Sequence, residues 1–388
     1  MSIRSADRLG GRAAIVGIGA TEFSKDSGRS ELTLAVEAVQ AALADAGLTP
    51  ADVDGMVTFT MDTNPEITVA QAAGIGELSF FSRIHYGGGA ACATVQQAAL
   101  AVAAGVADVV VCYRAFNERS GRRFGSGVQQ REPSAEGAAL GWQLPFGLLT
   151  PASWVAMIAQ RYLHAYGLTP DAFGHVAVTD RRHAARNPAA YFYGKPITLA
   201  DHAASRWIVE PLRLLDCCQE TDGGQAIVVT SAERARDLRR PPAVIVAAAQ
   251  GAGRNQEAMT SFYRDELTGL PEMGVVAGQL WRTAGLAPGD IDVAILYDHF
   301  TPFVLMQLEE FGFCGRGEAA DFVAADALPL NTHGGQLGEA YLHGMNGIAE
   351  AVRQVRGTSV NQIPGASRTL VTAGTGVPTS GLILGADD

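Results

Sequence analysis

The chain has 388 residues, of which 47% are hydrophobic and 18% are charged, a composition typical of a large folded core and not of disorder. The net charge of −11 argues against nucleic acid or an anionic membrane as the main partner. No apolar run approaches a membrane span, and the short N-terminal one is cut off by Glu22 and Lys25, so we expect a cytoplasmic protein without a secretory signal.

The five cysteines are scattered along the chain and odd in number, which fits a reducing compartment better than a disulfide framework. None of them lies at a paired metal-ligand spacing. Cys217 and Cys218 are adjacent, so their thiols cannot easily point at one ion. We therefore expect no metal site.

An internal repeat organises the chain. Residues 46–54 read AGLTPADVD, and residues 284–292 read AGLAPGDID. In each copy a helix ends at Gly, Pro prevents its continuation, and an Asp-apolar-Asp step leads into an apolar strand. Such helix–strand units are typical of parallel sheets that are buried on both faces, so the sequence predicts two related α/β halves.

The segment between the halves differs from both in composition. It is polar and aromatic, as expected for a cap over a site, and the RRPP sequence further on marks a natural boundary. We predict the first half in residues 1–116, a loop or cap domain over the active site in 117–205, the completion of the first half in 206–240, and the second half in 241–388.

Two glycine-rich segments are candidate site elements. Residues 86–94, YGGGAACAT, place Cys92 near a helix N-terminus, where a thiol pKa is lowered. The alternative is a small buried residue that allows close helix packing. Residues 372–381, TAGTGVPTSG, offer backbone N–H groups for an oxyanion or form a plain connection, and the sequence leaves both open.

The arginines of residues 114–125 have guanidinium groups of the kind that bind phosphates. We favour a solvated face for this segment.

Residues 292–303, DVAILYDHFTPF, form a strand that ends by presenting Tyr297, Asp298 and His299. Three hydrogen-bonding side chains at the end of a buried strand indicate a reaction centre. The alternative is a tyrosine whose ring simply anchors the strand end in the core.

Residues 330–345, LNTHGGQLGEAYLHGM, place four polar side chains around a Gly-Gly turn: Asn331, His333, Tyr341 and His343. Glycines allow a ligand to approach the backbone closely. We take this segment as the second part of the site.

Together, these motifs resemble the thiolase superfamily, in the branch of the sterol-carrier-type thiolases or lipid-transfer proteins. The resemblance covers essentially the whole chain. It implies an α/β fold with a duplicated five-layer αβαβα architecture, five strands in each half, and an inserted loop domain. It also implies a homodimer and a coenzyme A thioester as ligand, with no cofactor besides the coenzyme A of the substrate.

The chain departs from that family at both catalytic cysteines. The position of the nucleophile falls on Gly88 or Gly89, and Cys92 lies about one turn too far along the helix. The second cysteine, in Cys-x-Gly, corresponds to Thr372, with Gly374 as its glycine. The backbones of Gly89 and Gly374 are then the candidates for an oxyanion site. Thiolase chemistry needs both thiols, so another reaction is indicated.

Two further departures place phenols where the family has oxyanion-binding groups. Tyr297 takes the first position of the His-Asp-x-Phe motif, and Tyr341 takes the histidine of the Gly-His-Pro motif. This pattern is similar to the steroid side-chain-cleaving aldolases of actinobacteria. It implies retro-aldol cleavage of a 17-hydroxy steroid carboxyl-CoA to a 17-keto steroid and propionyl-CoA.

In that reaction we expect Tyr297 to transfer the proton and Tyr341 to donate to the thioester oxygen, and the sequence leaves the reverse assignment open. A tyrosinate base would be opposed by Asp298 and helped by a protonated His299 or His343. His333 and Asn331 complete the supporting set.

Two other functions remain compatible with the sequence. One is a degenerate thiolase or acyltransferase that uses Cys92, and the other is a non-catalytic binder of acyl-CoA or sterol. The resemblance also implies a small zinc-ribbon/OB-fold partner that is linked to an enoyl-CoA hydratase. Any zinc would belong to that partner.

Overall fold

The computed structural model describes residues 9–121, 123, 137–138, 141–259 and 261–387. The strands of this part of the chain are β1 (Ala13–Ala20), β2 (Gly55–Phe59), β3 (Phe80–Ile84), β4 (Val109–Asn117), β5 (Trp207–Val209), β6 (Leu212–Arg213), β7 (Asp222–Ser231), β8 (Ala243–Gly251), β9 (Val293–Ile295), β10 (Arg368–Thr372) and β11 (Thr379–Gly385).

The helices of the same residues are α1 (Glu31–Ala46), α2 (Glu66–Ala73), α3 (Ala91–Ala103), α4 (Pro151–Tyr166), α5 (Asp171–Ala184), α6 (Leu199–Ala204), α7 (Ala232–Ala235), α8 (Pro271–Ala284), α9 (Thr301–Glu310), α10 (Ala319–Ala324), α11 (Gly335–Gly338) and α12 (Met345–Arg356).

The main sheet has the strand order β3-β2-β4-β7-β1-β8-β11-β10-β9. The first five strands belong to the first half and the last four to the second, and a short antiparallel pairing of β1 with β8 joins them. Five strands were expected in each half. In the first half, β3 is the fifth strand, at the edge of the sheet. At the equivalent edge of the second half, the described residues form only a single parallel bridge, between Ala294 and Leu330.

The helices form layers on both sides of these strands. Helix α1 packs on the outer face of the first half, and α8 packs on the outer face of the second half. Between them, α3 and α12 share one buried cluster with strands of both halves. This arrangement confirms the predicted duplicated αβαβα fold.

The repeated sequence forms the same local structure twice. Helix α1 ends at Gly47 with a φ of 75°, and α8 ends at Gly285 with a φ of 67°. A 3-10 turn then covers Pro50–Asp52 in the first copy and Pro288–Asp290 in the second. Each turn leads into a buried strand, β2 or β9, because the left-handed glycine ends the helix and the proline starts a new direction.

Residues between β4 and β5 contribute α4, α5 and α6, and helix α5 packs against α9, α10 and α11. The ends of β4 and β9 therefore meet a helical wall supplied by this segment. The division of the chain at residues 116, 205 and 240 stays a prediction. Within the described ranges, the helices are too short or too polar to cross a membrane.

Candidate active site

A cavity of about 510 Å³ lies beyond the ends of β4 and β9, within the size range of small-molecule sites. Its wall is largely apolar and contains two thiols, two acids, several cations and two predicted site residues. These polar members are Cys217, Cys218, Glu118, Glu220, Lys25, Arg123, Arg181, Arg206, His299 and Tyr341. The segment between β4 and β5 supplies part of the wall, including Ala152 and Phe192.

The backbone of Tyr297 is held by side chains, because the β9 ladder ends two residues earlier at Ile295. The Tyr297 N–H donates to Thr372 Oγ1 at 2.9 Å, and the Tyr297 carbonyl accepts from Gln307 Nε2 at 2.9 Å. Thr372 also donates to Gln307 Oε1 at 2.6 Å. The residue at the position of the second thiolase cysteine thus fixes Tyr297 in place.

The side chain of Tyr297 lies between two glycines and is only 3% exposed. A Cβ atom on Gly88 would lie 2.0 Å from Tyr297 Oη, and a Cβ on Gly344 would lie 2.9 Å from the Tyr297 ring. Neither contact is sterically possible. A side chain at position 88 would therefore displace the Tyr297 phenol from the position it has here.

Tyr341 is half-buried on the cavity wall, and its backbone N–H donates to Thr221 Oγ1 at 2.8 Å. Tyr297 Oη donates to Tyr341 Oη at 3.3 Å, with the two rings edge to face. Tyr341 accepts this hydrogen bond, so its own hydroxyl hydrogen is left to donate elsewhere. The structure brings the two predicted tyrosines together, with Tyr341 at the cavity and Tyr297 behind it.

Burial raises the pKa of both phenols well above the ordinary value. For Tyr341, the neighbouring Tyr297 raises the pKa further; for Tyr297, the hydrogen bond to Tyr341 lowers it but does not offset burial. Both groups hold their protons at neutral pH. The arrangement favours hydrogen-bond donation by the pair and disfavours a resting tyrosinate base.

His343 is buried beside this pair in a left-handed conformation with a φ of 51°. Arg114 Nε donates to His343 Nδ1 at 3.1 Å, and Arg114 Nη1 forms an ion pair with Asp62 Oδ2 at 2.9 Å. Burial, followed by the Arg114 charge, lowers the pKa of His343. The imidazole is therefore neutral, with its proton on Nε2.

His299 lines the cavity and packs edge to face against the Tyr297 ring, with centroids 4.9 Å apart. Burial lowers the pKa of His299 to about 3. The expectation that a protonated His299 or His343 stabilises a tyrosinate is therefore wrong for the resting protein. Each histidine is a neutral side chain that packs against a tyrosine.

The side chains of Asp298 and Asn331 form their hydrogen bonds within the protein. Asp298 accepts the N–H groups of Gln336 and Leu337 at 2.8 and 2.9 Å, at the start of α11. Asn331 accepts from the Leu296 N–H at 2.8 Å and donates to a carboxyl oxygen of Asp180 at 3.2 Å. Neither residue lines the cavity. They position the segment that carries Tyr341.

His333 is buried as well. Its Nε2 is 4.0 Å from Glu339 Oε2, and its carbonyl accepts from Asn187 Nδ2 at 2.9 Å. His333 is not part of the cavity wall. Its position indicates a packing role.

The predicted backbone donors have a structural explanation. The Gly374 N–H donates to the Gly88 carbonyl at 2.9 Å, so this N–H is not available to a substrate oxygen. The Gly89 carbonyl accepts from Ser380 Oγ at 2.7 Å, and a Cβ on Gly89 would lie 2.3 Å from the Pro378 carbonyl oxygen. These glycines allow two loops to pack closely. An oxyanion role for Gly374 is wrong.

Cys92 is buried near the start of α3, away from the cavity, and its thiol donates to the Val371 carbonyl at 3.7 Å. Burial raises the pKa of Cys92, so helix position does not activate it. Cys218 instead lines the cavity, and sequence reasoning considered it only as a zinc ligand. Burial raises the pKa of Cys218 as well, with Glu118 the next cause.

Sequence reasoning also missed Glu118, the first residue after β4, which lines the cavity. The available signal was an acid at the end of an apolar strand, the same signal that identified Tyr297. The neighbouring Arg114 is buried, so the expected solvated face is wrong at this position. Among the described residues, no three His, Cys, Asp or Glu side chains are grouped so as to hold a metal ion.

Two family models match most of the chain. Residues 13–233 match the thiolase N-terminal domain, and residues 253–385 match the thiolase C-terminal domain-like family. The division between the two matches falls near the predicted boundary of the halves.

Individual relatives share far more of the sequence. The chain is 70% identical over 387 residues to a steroid side-chain-cleaving aldolase from Thermomonospora curvata, covering 98% of this chain and 99% of the relative. It is 69% identical over 386 residues to the 17-hydroxy-3-oxo-4-pregnene-20-carboxyl-CoA lyase of Mycobacterium tuberculosis, covering 97% of this chain and 100% of the relative. A solved structure described as an Ltp2-ChsH2(DUF35) aldolase superposes with a TM-score of 0.94 at 69% identity, covering 98% of this chain and 99% of that one.

Proposed function

The chain belongs to the thiolase superfamily, and we propose that it is a carbon–carbon lyase that cleaves the side chain of a 17-hydroxy steroid carboxyl-CoA. The products are a 17-keto steroid and propionyl-CoA. The observation that carries this proposal is the Tyr297 phenol, which fills the space that a Cβ on Gly88 would need. The reaction therefore proceeds without a covalent acyl-enzyme at that position.

The chemistry follows from the thioester. The hydroxyl on the β-carbon loses its proton, a C=O bond forms there, and the Cα–Cβ bond breaks. Its electron pair goes to the thioester group as an enolate, which is protonated at Cα to give propionyl-CoA. Charge develops on the thioester oxygen, so a hydrogen-bond donor at that oxygen lowers the barrier.

We assign this donor to Tyr341, whose hydroxyl hydrogen is free to point into the cavity. Tyr297 donates to the Tyr341 oxygen and polarises it, because successive hydrogen bonds in a buried chain strengthen one another. Both phenols keep their protons at neutral pH, which suits donation. In this assignment Tyr297 acts on the substrate through Tyr341.

The cavity wall suits a ligand with an apolar body and an anionic tail. Apolar side chains make up most of the wall, whereas Lys25, Arg181 and Arg206 supply positive charge. A guanidinium group can form two parallel hydrogen bonds to the oxygens of one phosphate. We therefore propose that the two arginines, together with Lys25, contact the phosphates of coenzyme A. We propose that no cofactor is needed beyond the coenzyme A of the substrate.

We also propose that the protein works as a homodimer with a small zinc-ribbon/OB-fold partner linked to an enoyl-CoA hydratase. The support is the solved relative whose description couples an aldolase of this type to a second component. Such a hydratase would form the β-hydroxyacyl-CoA that the lyase consumes. The cytoplasmic location stays a prediction.

The test is a direct product assay. The protein, co-expressed with the partner, is incubated with a 17-hydroxy steroid carboxyl-CoA, and propionyl-CoA and the 17-ketone are quantified by mass spectrometry. We expect the two products in equal amounts. Binding of the thioester without product release would instead identify a carrier protein and contradict the proposal.

A further inference from the structure

Glu118 is a buried acid that the reaction scheme has not used. It follows the last residue of β4, lines the cavity together with Tyr341, and is only 2% exposed. The Thr221 N–H donates to its carboxyl group, and the Thr221 hydroxyl accepts the Tyr341 N–H. Thr221 therefore holds both Glu118 and Tyr341 on the same wall of the cavity.

The second carboxyl oxygen is unsatisfied. Glu118 Oε2 makes no hydrogen bond within the described part of the chain. A buried polar atom without a partner costs stability, so such an atom on a cavity wall needs a reason. A substrate hydroxyl in the cavity would supply the missing hydrogen bond.

Charged and titratable groups surround this carboxyl. They are Glu220, Lys25, Arg114, Arg123, Cys218 and Tyr341. Burial, followed by the charge of Glu220, raises the pKa of Glu118 to about 9, while Arg114 and Lys25 act in the opposite direction. With a pKa this high, the Glu118 carboxyl group is mostly protonated at neutral pH, and the minor carboxylate form is a stronger base than an ordinary carboxylate.

We propose that Glu118 is the proton-transfer residue of the lyase: its carboxylate takes the proton of the substrate β-hydroxyl and returns it to Cα of the enolate. The inference rests on the proposed function and deepens it, because it supplies the base that the two phenols do not provide. It places Glu118 on the β-carbon side of the substrate and Tyr341 at the thioester oxygen.

The steps balance without any further reactant. The O–H bond of the hydroxyl breaks as Glu118 gains the proton, and its electron pair forms the C=O bond of the ketone. The Cα–Cβ pair becomes the enolate. Glu118 then gives the proton to Cα, a new C–H bond forms, and the carboxylate is restored for the next turnover.

The test compares Glu118→Gln and Glu118→Asp with wild type, each co-expressed with the partner. We expect Glu118→Gln to lower kcat by about 10²–10³-fold with a KM change within about threefold, because a base acts in the chemical step. Glu118→Asp should restore part of the activity. For wild type, kcat/KM should rise with pH toward the pKa of Glu118, and Glu118→Gln should lose this rise.

A second variant, at the neighbouring Glu220, tests the titration of Glu118. Glu220 raises the pKa of Glu118, so Glu220→Gln should move the rise of kcat/KM to lower pH. The assignment is overturned if Glu118→Gln keeps the wild-type rate and pH profile while wild type remains active. It is also overturned if activity falls only in step with a lower melting temperature. If wild type itself releases no propionyl-CoA, the proposed function and this inference both fall.

Discussion

Tyr297 Oη donates a hydrogen bond of 3.3 Å to Tyr341 Oη, and only Tyr341 of this pair lines the cavity. The direction of this bond ranks the two residues. In the proposed reaction, Tyr341 contacts the substrate and Tyr297 acts on Tyr341. Removing the Tyr341 hydroxyl would abolish its proposed hydrogen bond to the substrate, and removing the Tyr297 hydroxyl would abolish the hydrogen bond that Tyr341 accepts.

Tyr341→Phe should lower kcat for side-chain cleavage by about 10²–10³-fold, the usual loss for one donor to a developing oxyanion. Tyr297→Phe should give a smaller loss, since Tyr341 keeps its own hydroxyl. The measurement is steady-state release of propionyl-CoA by each variant. Equal binding of a steroid carboxyl-CoA by wild type and both variants would show that the cavity is intact, and a full-activity Tyr341→Phe would contradict the assignment.

Gly88→Ala tests the exclusion between position 88 and Tyr297. The new Cβ would lie 2.0 Å from Tyr297 Oη, so the phenol must move and its bond to Tyr341 must break. We expect a loss of activity comparable with that of Tyr297→Phe. The matched control is Gly278→Ala in α8, where no atom lies within 4 Å of the added Cβ. This control should keep full activity and equal or greater thermal stability.

Thiol chemistry can be tested at two cysteines. Cys92→Ala and Cys218→Ser should each retain most of the cleavage activity, because burial raises the pKa of both thiols and neither is a nucleophile at neutral pH. Rates are measured together with thermal melts, since Cys92 packs in the core. Loss of activity in a Cys218→Ser protein with a wild-type melting temperature would revive a covalent mechanism on a thiol that the sequence did not suggest.

Asp298→Ala should cost about 3 kcal/mol or more of stability, because two buried N–H groups at the start of α11 lose their acceptor. Urea unfolding of wild type and variant measures the change. Asp298→Asn, which keeps one acceptor oxygen, should lose less. A stable Asp298→Ala protein that is nevertheless inactive would argue for a direct catalytic role.

The repeat and the two halves could be predicted from the sequence because each depends on local patterns, whereas the two tyrosines were indicated by the resemblance to the thiolase superfamily. A glycine after a helix and a proline after the glycine specify the turn at Gly47 and at Gly285 in the same way. The surroundings of Tyr297 could not be predicted, since they depend on residues far apart in the chain. Thr372 and Gln307 clamp its backbone.

Protonation states could not be predicted from the sequence either, because they depend on burial by residues far apart in the chain. His299 has an ordinary sequence neighbourhood, and only three-dimensional burial lowers its pKa to about 3. Glu118 was hidden among arginines that suggested a solvated face, whereas its cavity position depends on Thr221 and the Tyr341 segment. For polar residues close in sequence, such as Asn331 and Tyr341, the structural role of the first and the proposed catalytic role of the second can be told apart only when their hydrogen bonds are known.

The buried state of Glu118 makes a separate prediction for stability against pH. Its pKa is raised from 4.5 to about 9 in the folded protein, so between these values the folded state holds a proton that the unfolded state releases. The free energy of unfolding therefore falls as pH rises through this window. Glu118→Gln removes that dependence, since the amide does not titrate.

We expect Glu118→Gln to be more stable than wild type at neutral pH, by on the order of a few kcal/mol. The difference should be small near pH 5, grow toward pH 9, and then level off. Denaturant unfolding of both proteins across this range measures it, and other titrating groups cancel in the difference. Such a gain in stability, combined with a loss of turnover, is the expected signature of an acid kept buried for catalysis. A pH-independent difference would show that Glu118 is ionised and paired in the folded protein.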